Sequence, residues 1–384
     1  MENVSDYIHN IPIEEDKVVD KNHDVVQSDG NITNPFSTKD IRITHATIAL
    51  SSIINRLKHD EIDLNPDFQR NSDLWGRKQM SRLIESILLK LPLPVLYFDV
   101  SEPDKWLVVD GLQRLSTFKK FIVDKKLILK DLEFLTHLDG YNYDKLDRNL
   151  KRIIDETQII TYQIEAQTPK EVRYSIFNRI NTGGLSLNPQ EIRQALNQKG
   201  GGISFLREVT ENNIFKKIVG VSSKRMLDRE LALRFVAFKL AGYENFDSNK
   251  MKDFLDKAMD KLDLIEDKEE IDKLKNNLLE TLTFSEKILG ENHRFSRAIA
   301  DDEKTRTLNR SLFDVITICF SEIKDRDKFF NKKELFLIKF KKLLKDEQGE
   351  FLKAITEGTS DKSAIETRFE IMNKLIKEVI YENK

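Results

Sequence analysis

The run WLVVDGLQRLSTFKKF (106–121) concentrates the groups that could do chemistry. A β-rich segment ends in Asp110, turns on Gly111 and enters a helix whose first turn holds Gln113 and Arg114. Such a junction gathers backbone N–H groups, the positive end of a helix dipole and an arginine fork at one point. Those are the parts of an anion site suited to phosphate. Asp110, at the strand end, could hold a metal ion or orient a water. A second reading makes Asp110 a helix cap and Arg114 its surface partner, and the residues alone leave both open.

Two further segments could contribute. In LNPDFQRNSDLW (64–75) the Asn65-Pro66-Asp67 turn holds Gln69 and Arg70 at a bend, where an amide and a guanidinium could read a phosphate and a base or ribose edge. Ordinary surface residues would look the same. In FNRINTGGLSLNPQEIRQAL (177–196) the pair Gly183 and Gly184 permits positive φ, with Arg179 and Asn181 facing whatever the turn approaches. A plain helix C-cap and turn also explains it. The chain has no GxxxxGK[ST], no GxGxxG and no HExxH, which removes the P-loop, Rossmann, kinase-loop and zincin classes. Beyond His137 the only histidine is His293, in GENHRFSR, read as a surface or cap residue. Cys319, on an apolar helical face, reads as a core thiol. As the single cysteine it excludes an internal disulfide and suits a reducing compartment.

The elements that must position these groups follow from periodicity. Segment 48–59 reads as a helix, 62–64 as a short extended piece and 76–90 as an amphipathic helix opened by Ser72 or Asp73. Residues 94–100 and 105–110 read as paired strands, 114–124 as helix and 158–166 as strand. Thr168-Pro169-Lys170-Glu171 and Asn188-Pro189-Gln190-Glu191 both have capping-box grammar with Pro at the first helical position. All eight prolines lie at or before Pro189. In the proline-free remainder, 227–240, 251–265, 271–289, 309–323 and 333–345 carry apolar residues at helical spacing. There Phe235, Phe238, Phe254, Phe284, Phe313 and Phe320 are expected in the core. The fold class expected is therefore α+β, with a mixed N-terminal domain followed by an all-α C-terminal domain.

The charge balance of the 384 residues is −2, but residues 1–40 hold nine acidic and three basic groups. That local −6 leaves +4 on the rest, so a near-neutral total hides a mildly basic body. The segment 1–40 is expected to be disordered, or ordered only against a partner. No run of about 18 uncharged apolar residues occurs and no signal peptide is visible, so a cytoplasmic protein without a membrane partner is expected.

Taken in order, QR at 69–70, LIESILLKLPLPVLYF, DGLQRLST and FNRINTGGLSLNPQEIR resemble the domain-of-unknown-function 262 family, the N-terminal domain of GmrSD-type restriction endonucleases, whose hallmark is DGQQR. The likeness runs from about residue 42 to 198, and RMLDRELALRF (225–235) extends a similar pattern. It implies a ParB/sulfiredoxin-like nucleotide-binding domain over 41–198 and a helical domain over 199–384. It also implies an NTP hydrolase of a phage-defence or modification-dependent restriction system, with NTP and Mg²⁺ as cofactors. Asp110, Gln113 and Arg114 would be catalytic, with Asp110 the metal ligand. Gln69, Arg70, Gly111, Arg179, Asn181, Thr182, Gly183, Gly184 and Arg193 would bind the nucleotide, and Glu191 also matches the pattern. Leu112 stands where the hallmark has its first Gln, which removes one hydrogen-bonding side chain. A histidine-dependent nuclease domain is not visible downstream, so cleavage by this chain alone is not expected. The rival expectation is a non-enzymatic, DNA-associated regulatory or sensing subunit that uses nucleotide as a switch or partners with a separate nuclease. A nuclease acting through the α+β domain itself is the third reading.

Overall fold

The computed structural model describes residues 41–381 except 65–74, 103, 181–187, 198–199, 247–250, 292–294 and 301–306. The expected tail, the Ser72 and Asp73 caps, and His293 lie outside these residues. The described chain divides between Leu196 and Asn197 into two compact units.

The first unit is mixed α+β. Its elements are β1 (Ile43–Ala49), α1 (Leu50–Lys58), β2 (Ile62–Asp63), α2 (Arg77–Leu88), β3 (Leu96–Asp99), β4 (Trp106–Asp110), α3 (Leu112–Phe118), α4 (Arg148–Glu156), β5 (Gln158–Ile164), α5 (Lys170–Ile180) and α6 (Pro189–Leu196). The strands form one sheet in the order β1-β5-β3-β4-β2. β3 runs antiparallel to β4 and parallel to β5, while β1 lies antiparallel to β5 at the edge. One face of the sheet supplies Leu96, Phe98, Trp106, Val108 and Ile159 to a core completed by the apolar stripes of α1, α2, α3 and α4. The stripe of α1, Leu50, Ile53, Ile54 and Leu57, has the i, i+3, i+4, i+7 spacing that defines such a face. Leu107, Val109 and Ile164, on the opposite face, are buried as well, along with Val172, Tyr174 and Phe177 of α5.

Several expectations are adjusted. Residues 43–49, missed as a strand, pair along their whole length with β5. The cap of α2 is Gly76, whose N–H donates to the Gln79 side chain at 3.0 Å. The helix after Gly111 starts at Leu112, two residues earlier than expected, and runs on into a wider π-helical turn over 119–123. Asn188 and Glu191 form the expected capping box: Asn188 Oδ1 accepts from Glu191 N–H and a Glu191 carboxylate oxygen accepts from Asn188 N–H. Thr168, by contrast, directs its hydroxyl to Arg42, donating to the carbonyl at 2.9 Å and accepting from the N–H at 3.1 Å, which ties the start of β1 to the approach to α5.

The second unit is helical. It comprises α7 (Gly201–Glu211), α8 (Asn213–Val219), α9 (Leu227–Ala241), α10 (Met251–Asp263), α11 (Lys268–Leu289), α12 (Arg310–Ser321), α13 (Arg326–Phe330), α14 (Lys333–Lys345), α15 (Glu350–Thr356) and α16 (Lys362–Tyr381). All six phenylalanines assigned to a core are buried. Cys319 is buried too, and that burial raises its thiol pKa, so it is an inert core residue. The amphipathic reading of 227–240 and 309–323 understates them: Leu231–Phe238 and Ser311–Phe320 are buried on every side, so α9 and α12 are central helices. Among the described residues no helix is long and apolar enough to cross a membrane.

Candidate functional site

β4 delivers Asp110 to its place through an irregularity. Phe98 pairs with Val108 and Asp99 with Leu107, but the register shifts before the next pair, Tyr97 with Asp110. Strict alternation would carry Asp110 to the core face after Trp106 and Val108. The extra residue instead sets it opposite Tyr97, on the face away from that core, as bulges beside functional sites do. The Asp110 side chain keeps 39% of its surface exposed.

Gly111 follows at φ 103° and ψ 12°, a conformation that side-chain-bearing residues rarely adopt. A Cβ at this position would lie 2.2 Å from Leu96 Cδ2 and 3.3 Å from an Arg114 nitrogen. The turn therefore has room for glycine only. Arg114 is almost wholly buried beneath it. One of its terminal nitrogens donates to Asp110 Oδ2 at 2.7 Å and the other to the Pro94 carbonyl. Burial pulls the guanidinium below its ordinary pKa and Asp110 pulls it back up; it stays a cation. The arrangement is a half-exposed carboxylate pinned from below by a buried cation. Of the capping reading, the pairing of Asp110 with Arg114 holds, but the N-cap is Gly111 and Arg114 is buried, not at the surface.

Gln113 is positioned from α2's approach: its Oε1 accepts from the Trp75 N–H at 3.3 Å. Thr117 donates to the Gln113 carbonyl at 2.7 Å, and Leu112 packs against the core, so the residue in place of the hallmark Gln has a structural use. Of the other expected residues, Arg179 is exposed in the last turn of α5. Arg193 is buried on α6, where its guanidinium donates to Gln190 of the same helix. Gln69, Arg70, Asn181, Thr182, Gly183 and Gly184 lie outside the described residues. What the sequence reading missed is the supporting set: Pro94 as acceptor, Leu96 as the wall against Gly111, and Tyr97 as the partner of Asp110. The LPLPVLY run contained them, but only the register assigns them roles. Among the described residues no three His, Cys, Asp or Glu gather as a metal cage.

The first unit is thus a mixed α+β domain in which the interior strand β4 ends in an aspartate–glycine turn locked by a buried arginine. Residues 50–197 match the family of the GmrSD restriction endonuclease, N-terminal domain. This part of the chain is similar to the N-terminal domain of GmrSD-type restriction endonucleases, a likeness that suggests a restriction or phage-defence setting. No curated protein and no solved structure matches the chain.

Proposed function

We propose that this protein binds a nucleoside triphosphate with Mg²⁺ at the Asp110–Arg114 turn and hydrolyses it slowly, within a restriction or phage-defence system. The observation that supports this reading is the pinned, outward-facing Asp110 carboxylate beside a glycine turn with no space for a side chain. A bare turn lets phosphate oxygens approach backbone N–H groups at a helix start. Mg²⁺ takes one or two carboxylates plus substrate phosphates and keeps several waters, so a single protein ligand, Asp110, fits such an ion. Bound there, the ion would supply charge neutralisation on the phosphates. Arg114 acts from beneath: it fixes the carboxylate and adds positive potential in a setting of low dielectric. Asp110 can also accept a hydrogen bond from the attacking water, with Gln113 the neighbouring amide.

The test is equilibrium binding and phosphate release with each of the four common nucleoside triphosphates and Mg²⁺. Asp110→Asn is expected to lower release about a hundredfold or more, while Arg114→Ala lowers binding as well. Absence of both binding and turnover in the natural protein refutes the proposal. Strongly salt-dependent DNA binding that is untouched by Arg114→Ala would instead support the DNA-associated regulatory reading.

A further inference from the structure

A single cross-strand row leads to Asp110. His45 of β1 pairs with Tyr162 of β5, Tyr162 with Tyr97 of β3, and Tyr97 with Asp110 of β4. Residues directly opposite across strands share a face, and this is the face away from the larger core of the unit. The Tyr97 and Tyr162 rings are stacked, centroids 5.2 Å apart and 13° from parallel, with His45 6.3 Å beyond Tyr162. One row further along, the same face is closed: Asp99, Leu107 and Ile164 are buried, and Arg173 of α5 pairs with Asp99 at 3.3 Å. The tyrosine row is only half-buried, and His45 and Ile160 are exposed.

We propose that Tyr97, backed by Tyr162, is the stacking surface for the base of the nucleotide whose phosphates meet the Asp110–Arg114 turn. The inference rests on the reading of that turn as a triphosphate site. Neighbouring strands stand about 4.8 Å apart, so parallel rings on adjacent strands stand on edge above the sheet. The next member of the stack then lies over β4, where the row offers the short Asp110 in place of a third ring. The stack therefore runs toward the candidate phosphate site. A flat aromatic ligand that carries an anionic group matches both ends of the row, and a nucleotide has that chemistry. Stacking is tolerant of base identity because every base has a π-face, so the four nucleotides are expected to bind within a few-fold of one another, purines the tighter.

The experiment compares nucleoside triphosphates with inorganic tripolyphosphate, which has the phosphates and no base. The natural protein is expected to prefer the nucleotides at least tenfold. Tyr97→Leu, which keeps apolar volume and removes the ring, should bring nucleotide affinity down to that of tripolyphosphate and leave tripolyphosphate binding unchanged. Tyr97→Phe should bind as the natural protein does. Tyr97→Trp should bind at least as tightly, with its added emission quenched by nucleotides and unchanged by tripolyphosphate; this readout stands even if the Leu variant does not fold. Nucleotide affinity unaltered in Tyr97→Leu, or no quenching in a folded Tyr97→Trp, overturns the stacking and leaves the phosphate site standing. Failure of the natural protein to bind either ligand refutes the site itself, and the stacking with it.

Discussion

At the scale of the residue, Gly111 constrains the site most tightly, through two independent causes: its positive φ and the Leu96 methyl group where a Cβ would be. Gly140 has a comparable φ of 83° with nothing within 4 Å of the same point. The two glycines therefore separate backbone strain from overpacking. Gly140→Ala is expected to cost about 1 kcal/mol, whereas Gly111→Ala adds overpacking of roughly 1–3 kcal/mol. Urea titration of both variants measures the difference, and equal destabilisation would contradict the tight approach of Leu96. The sequence showed Gly111 as a turn residue; it did not show the Leu96 wall, because β3–β4 pairing sets which side chain stands there.

At the scale of the element, the long connection between the π-helical turn and α4 has no strand or α-helix to satisfy its backbone. Glu85 of α2, 3% exposed, does so instead, accepting hydrogen bonds from the N–H groups of Glu133, Phe134 and Leu135. Burial alone would raise the Glu85 pKa, but these three N–H groups together with Arg82 outweigh it and hold the carboxyl below its ordinary 4.5. A depressed folded-state value means stability that is present above about pH 4.5 and is lost as pH falls through the folded value. The urea midpoint of the natural protein should thus drop more steeply below pH 5 than that of Glu85→Gln. Glu85→Ala, which leaves three N–H groups without this acceptor, should cost roughly 2–4 kcal/mol at neutral pH. A flat response in both variants would contradict the anchoring. The glycine run 200–202 at the start of α7 has a similar explanation: the Asp263 carboxylate accepts from Gly202 N–H at 2.8 Å, and a Cβ on Gly200 would lie 2.0 Å from it. A helix start that looks open to an anion is already capped by one from α10.

At the scale of the whole molecule, the helical unit places charge at its centre. Arg234 of α9 grips Asp314 of α12 with two bonds, at 2.9 and 2.5 Å, and Arg368 of α16 approaches the same carboxylate at 3.6 Å. Arg368 is fully buried and also donates to the Thr359 carbonyl at 2.6 Å. Glu230 links Arg310 to this network at 3.2 Å. Removing one partner of a buried ion network leaves uncompensated charge. Asp314→Ala is therefore expected to destabilise by about 3–5 kcal/mol in chemical unfolding, against under 1 kcal/mol for loss of an exposed pair such as Lys273 with Glu269. Equal effects would mean that the network does not organise the three helices.

The sequence by itself determined the division into a mixed half and a helical half, because proline placement and apolar periodicity are local properties of the chain. It also located the Asp110–Arg114 turn, because a strand ending in Asp-Gly before an amphipathic run has few conformations open to it. Tertiary structure decided the rest. The edge strand 43–49 depends on β5, more than a hundred residues away, for its hydrogen bonds. Arg114 reads on paper as an exposed fork and becomes a buried strut because α3 packs its side chain under the bulge. The row His45, Tyr162, Tyr97 and Asp110 draws on four strands, and only pairing register, a long-range property, brings them into line.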